Sequence, residues 1–174
     1  MENNELSGGI RSLLGEYRRV INELIEVIRP LREEDIAVVV DPDTKDGNCR
    51  SIQSILTHVV CSGYGYTVYL ENAMGQSLPK PPKRKYNSAE AYIGQLNSMY
   101  DYCEKFFLKN PVLPLEEYAG SKIIFVSWGQ RFDVEQLMEH AIVHIMRHRR
   151  QIENFIRNIL PRLVSPLAGV ASKG

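Results

Sequence analysis

Cysteine is scarce in this chain and follows no pairing pattern. Cys49, Cys61 and Cys103 are an odd number without CxxC spacing, which argues against a disulfide framework and fits reduced, buried thiols in the cytoplasm. Surplus charge is also lacking. Lys and Arg number 21, as do Asp and Glu, so the positive excess that drives non-specific nucleic-acid binding is missing. No stretch approaches the roughly 20 apolar residues that span a bilayer. The opening MENNELSGGI is polar and acidic, where a secretion signal would have a positive start and an apolar run. Neither a membrane span nor a secretion signal is therefore expected. There is one tryptophan, Trp128, and no internal repeat. What is present is a chain of 174 residues, 44% hydrophobic and 24% charged, enough for one domain with a buried core.

Apolar periodicity organises most of that domain. Ile10, Leu13, Leu14, Tyr17, Val20, Ile21, Leu24, Ile25 and Ile28 recur in steps of three and four, which predicts a helix ending near Pro30. Residues 31–50 are irregular: AVVV (37–40) suits a short extended piece and DPDTKDGN (41–48) a loop. A second helix is expected from Ser51, with Ile52, Ile55, Leu56, Val59, Gly63, Tyr66 and Leu70 on one face. Gly63 and Gly65 either let a neighbour approach closely or leave room beside His58. GQSLPKPPKRKYN (75–87), with three prolines and four basic residues, reads as an exposed linker that could touch an anion. Ser88 suits the N-cap of a third helix carrying Tyr92, Leu96, Met99, Cys103 and Phe106.

Residues 110–133 break the rhythm. KIIFVSW (122–128) suits a short extended segment, with Trp128 as its anchor or as part of a pocket mouth. Asp133 and Gln136 form a capping-box-like start to a fourth helix that Pro161 should end. A loose leader (1–9) and tail (163–174) flank a core at about residues 10–160. The expectation is an all-α, antiparallel four-helix bundle with a longer connection before the last helix.

Three of the four histidines sit on that last helix. His148 falls inside its apolar stripe of Val134, Leu137, Met138, Ala141, Ile145, Ile152, Phe155 and Ile159. His144 lies at the margin beside Gln151, and His140 is rotated toward solvent, as a supporting or surface residue. His144 and His148 are four apart, one above the other, either as an HxxxH metal pair or as a partly buried polar pair. His58, at the core margin of the second helix, adds a third imidazole. Bundles build metal sites from inward side chains on facing helices. Three neutral imidazoles leave open positions of the kind catalytic sites keep. Zinc, nickel, iron or cobalt would all accept them, and zinc and nickel are the first candidates. Gln151 is placed to hold a ligand or a bound water, and Arg147 reads as solvated surface or, on the flank nearer His144, as a contact for an acidic small-molecule substrate. Arg149 reads as solvated surface.

HAIVHIMRHRRQI (140–152) resembles the last-helix motif of the DinB-like superfamily, and SILTHVVCSGYGY (54–66) its second-helix histidine segment. The resemblance covers most of residues 10–160. It implies a four-helix bundle, often dimeric, with a divalent metal held by His58, His144 and His148. It also implies activities ranging from transfer of a low-molecular-weight thiol to hydrolysis, with many members lacking a known activity. Arg150 stands where the family often has Gly, which bears on helix packing and substrate access. The expected function is a metal-dependent enzyme moving a small thiol onto an electrophile. The alternatives are a metal-dependent hydrolase, or a non-enzymatic interaction bundle with a vestigial or sensory metal site.

Overall fold

Local signals set where the helices begin. The computed structural model describes residues 5–116 and 123–164, with side chains as far as Asn158. Helix α1 (Gly8–Ile28) is capped by Ser7, whose Oγ accepts from Ile10 N at 3.4 Å. Helix α3 (Ile52–Ala73) starts at a reciprocal cap: Ser51 Oγ accepts from Ser54 N at 3.0 Å, and Ser54 Oγ accepts from Ser51 N at 2.9 Å. Helix α4 (Ala89–Lys109) is capped by Ser88, and the last helix, α5 (Val134–Val164), by the Asp133–Gln136 pair. Each such cap satisfies backbone donors the first turn leaves unpaired.

The predicted apolar stripes are buried. Ile10, Tyr17, Ile21, Leu24, Leu56, Tyr92, Leu96, Phe106, Leu137 and Met138 lie within one continuous core. Packing partners show the direction of each helix. Arg18 of α1 meets Asn97 and Asp101 of α4, while Ser7 N donates to Pro111 O, so α1 and α4 are antiparallel. His58 faces His144 and His148 while Tyr66 faces His140, so α3 and α5 are antiparallel. Thr57 meets Tyr92 and Glu71 meets Tyr102, so α3 and α4 run in the same direction. Glu23 of α1 pairs with Arg149 of α5. The result is the expected four-helix bundle, arranged up, down, down, up, with α1–α4 and α3–α5 antiparallel and α3–α4 parallel.

That arrangement gives the 75–87 segment a larger task than an exposed linker. To start α4 at the same end as α3, the chain must travel back along α3. Leu78 N donates to Asn72 Oδ1 at 2.7 Å, Cys61 Sγ lies 3.4 Å from Pro81 O, and Gln53 Nε2 donates to Tyr86 O at 2.9 Å. The segment is a strap laid along α3 from its C-terminal end to its N-terminal end.

Other expectations need adjustment. Ala37 ends a short helix, α2 (Glu33–Ala37), whose acidic first turn favours the helix N-terminus. Of the predicted extended piece at 37–40, only Val39 forms a bridge, to Ser51. Residues 122–128 contribute strand β1 (Ile124–Phe125), which pairs with β2 (Arg131–Phe132) around Gly129 at φ +85°. A left-handed turn position of this kind favours glycine. Helix α5 does not stop at Pro161 but runs to Val164. A proline this close to the end removes only one terminal hydrogen bond. Residues 1–4 of the leader, Lys122, most of the tail (165–174) and the side chain of Ile159 lie outside the described residues. No helix among the described residues is long and apolar enough to cross a membrane.

Candidate metal centre

The antiparallel pairing of α3 and α5 brings His58 against His144 and His148. His58 Nε2 and His144 Nε2 lie 2.9 Å apart, and one candidate ligand atom from each of the three residues lies within 4.8 Å of the others. A tetrahedral ion with metal–nitrogen bonds near 2.0–2.1 Å holds its ligand nitrogens about 3.3 Å apart. A small opening of the His58–His144 pair therefore fits a cation. This three-histidine group could hold a metal ion.

Hydrogen bonds orient two of the rings. His148 Nδ1 donates to Gln151 Oε1 at 3.0 Å, and His58 Nδ1 lies 3.4 Å from Ser62 Oγ. Engaging Nδ1 leaves Nε2 free to ligate, the usual role of an outer partner at a metal site. His144 Nδ1 is buried without a hydrogen-bond partner among the described residues. An unmet buried polar atom costs on the order of 1–3 kcal/mol, and such exceptions call for a functional explanation.

Burial keeps the cluster uncharged. Desolvation, reinforced by neighbouring His148, pulls His58 down to about 4. Desolvation and the His148 and His58 rings pull His144 down to about 2, and burial lowers His148 as well. All three are neutral at neutral pH, the form with a lone pair to give a metal.

The cluster forms the floor of an open cavity of about 440 Å³. On one side Tyr66, Tyr69, Trp128 and His140 make an aromatic wall. His140 lies outside the three-histidine group, and of the two expected placements, supporting or surface, its half-buried ring takes the supporting one. Its ring stacks on Trp128 at 5.6 Å and 26°, and it lies 6.1 Å from His144. Trp128 therefore both anchors the hairpin and forms the cavity mouth. Lys80 and Lys83 from the strap line the cavity along with Arg147, Asp46 and Asn48. Arg150 is exposed and does not line the cavity. Arg149 is not free surface: it pairs with Glu23 on α1 and, at 3.4 Å, with Glu153.

The two glycines take different roles. A Cβ on Gly63 would sit 1.9 Å from Met99 Sδ, so α3 and α4 meet there in direct contact. A Cβ on Gly65 would find nothing nearer than Pro81 Cγ at 4.0 Å, and this residue leaves space in the cavity beside His58.

Asp46 and Cys49 were not anticipated as site residues. A 3₁₀ turn at Gly47–Cys49 brings both against α5. Cys49 Sγ lies 3.4 Å from Asp46 Oδ2 and 3.7 Å from Gln151 Oε1. Burial pushes the Cys49 thiol up, so at neutral pH it is protonated and its single S–H can be shared between the two oxygens, donating to one at a time. The turn thus braces Gln151, which braces His148. Loop-forming composition at 41–48 was legible, but nothing local could show that the loop folds onto α5. Gln151→Leu removes the acceptor while keeping most of the volume. It is expected to lower divalent-metal affinity about 10–100-fold with little change in the thermal midpoint of the metal-free protein. Competition against a metal-binding dye checks this, and unchanged affinity would remove Gln151 from the site.

No protein-family model matches the chain, and no curated protein is significantly similar to it.

Proposed function

We propose that the protein is a DinB-like, divalent-metal-dependent enzyme that transfers a small thiol onto an electrophile. The observation that supports this best is the convergence of His58, His144 and His148 at the floor of an open cavity. The three imidazoles would hold zinc or nickel and leave positions facing the cavity, and the working unit is a homodimer. A bound divalent cation would keep a thiol ionised near neutral pH, the form that attacks carbon. Ser62 and Gln151 hold two of the rings in a ligating orientation. The aromatic wall restricts water on one side of the floor.

One carboxylate bears on the choice between transfer and hydrolysis. Among the described residues Asp46 is the only acid lining the cavity. The Asn48 backbone N–H is the main cause that holds its carboxyl below the usual range. So low a pKa makes a weak proton acceptor, and hydrolysis needs a group to take a proton from the attacking water. A thiol must also release a proton to solvent, but it does so from a pKa of about 8.5 rather than the roughly 15.7 of bulk water, so a bound cation would ionise it with less help from a protein base.

The test is turnover by the full-length, metal-loaded protein with a panel of small thiols, each paired with an activated aryl halide and an epoxide. Thiol-dependent product, lost on chelation and restored by added metal, is expected. Cleavage of esters without any thiol would overturn transfer in favour of hydrolysis. Full metal occupancy with no turnover on either panel would leave a binding module.

A further inference from the structure

Outside the cavity, Arg18, Arg19, Arg29, Arg32 and Arg149 are ion-paired, while others, such as Arg11, Lys85 and Arg150, form no ion pair among the described residues. Lys80, Lys83 and Arg147 line the cavity and also form none among the described residues. What sets the cavity apart is that three such cations line one space with a single acid. The single acid beside them is already occupied. Asp46 Oδ1 accepts from Asn48 N at 2.9 Å and from Asn48 Nδ2 at 2.8 Å, while Oδ2 faces the Cys49 thiol. In a chain of zero formal net charge, the cavity therefore keeps an uncompensated positive excess.

The polar and aromatic parts lie at opposite ends. Lys83 Nζ donates to Asn48 Oδ1 at 2.6 Å, which fixes it at the end formed by the 46–49 turn. Arg147 is on the cavity side of α5 next to His148. Trp128 marks the other end, edge-on to Tyr69 at 5.9 Å and stacked on His140. It is 45% exposed although it is the largest side chain in the chain. Lys80 lies beside that end, with Nζ 3.4 Å from Ser127 Oγ. An aromatic cluster by itself could equally attract an organic cation. Three unpaired positive charges around the same space oppose that and select the opposite sign.

From this we infer that the cavity binds an aromatic anion: a molecule with a planar ring held against Trp128 and a carboxylate or phosphate held by Lys83 and Arg147. The histidine floor lies between the two ends, so the reactive part of such a molecule passes over it. This deepens the proposed function by naming a substrate class, yet recognition of the ring and the anion does not itself require a metal.

Calorimetry on the full-length protein in EDTA separates the two ideas, because without metal a carboxylate cannot bind by ligating an ion. The probes are 2-naphthoate, its neutral isostere 2-naphthylmethanol, and cyclohexanecarboxylate, an anion without an aromatic ring. Naphthoate should bind about tenfold more tightly than either of the others. Lys83→Glu with Arg147→Glu should erase the advantage over the alcohol, and Trp128→Ala the advantage over the alicyclic acid. Both changes are at exposed positions, and circular dichroism confirms the fold. Equal affinity for all three probes, no binding of naphthoate, or naphthoate binding unchanged in the double charge reversal would overturn the inference. Binding of naphthoate by a protein that takes up no metal would overturn the proposed enzyme and leave this inference standing.

Discussion

His144→Ala should purify without a bound divalent metal where the wild type carries about one ion per chain. Losing an outer partner of a metal ligand costs roughly 10–100-fold in affinity, and losing one of three ligands costs more. The folded protein should tolerate the change. His144 is partly buried, and its Nδ1 has no hydrogen-bond partner among the described residues, so truncation also removes an unmet polar atom. These effects oppose each other, and the metal-free thermal midpoint should move by only a few degrees. His58→Ala and His148→Ala should lose metal in the same way. His140→Ala should retain it, because that ring belongs to the aromatic wall and not to the three-residue cluster. Elemental analysis of untagged protein checks the series. Equal metal content in wild type and His144→Ala would dismiss the three-histidine centre.

The sequence carried the histidine pattern because the pattern is local. His144 and His148 are one turn apart, and a helical wheel is enough to put both on the inner side of α5. His58 was found at the core margin by the same device. The caps at Ser88 and Asp133 were legible for a similar reason, since each depends on residues three positions apart. What surrounds the centre depends on chain direction, which periodicity does not encode. The strap becomes a cavity wall only because α3 and α4 run parallel. Lys80 and Lys83 in a proline-rich stretch otherwise look like an ordinary solvated connection. Asp46 and Cys49 reach α5 through contacts about 100 residues distant in sequence, as with Cys49 and Gln151. Helix α2 spans five residues, too few for an apolar period to emerge. His140 was placed by its angle on the wheel, and the hairpin that covers it could not be seen from α5 alone.

Gly63→Val should be clearly destabilising at the α3–α4 contact. Glycine inside a helix is usually a cost of up to about 1 kcal/mol relative to alanine, so replacing one commonly stabilises. Here the opposing effect wins. The new Cβ would lie 1.9 Å from Met99 Sδ and 2.7 Å from its Cγ, and Met99 is fully buried. Either Met99 leaves its rotamer in a packed core or the helices separate. Overpacking of this kind costs about 1–3 kcal/mol, and the second branch of valine adds to it without the propensity gain of alanine. A net loss of about 3 kcal/mol corresponds to a midpoint lowered by about 6–12 °C for a domain of this size. A double-mutant cycle locates the cause. Met99→Ala alone should cost about 2–5 kcal/mol as a cavity, but clearly less in the Gly63→Val background, where the valine fills part of the space. A coupling near zero would show that the strain lies elsewhere on α3. Metal content below the melting range should be unchanged in both variants. Gly63 and His58 are five residues apart on α3, well over a quarter-turn around the helix. One face sets the spacing to α4 and the other carries His58 toward α5.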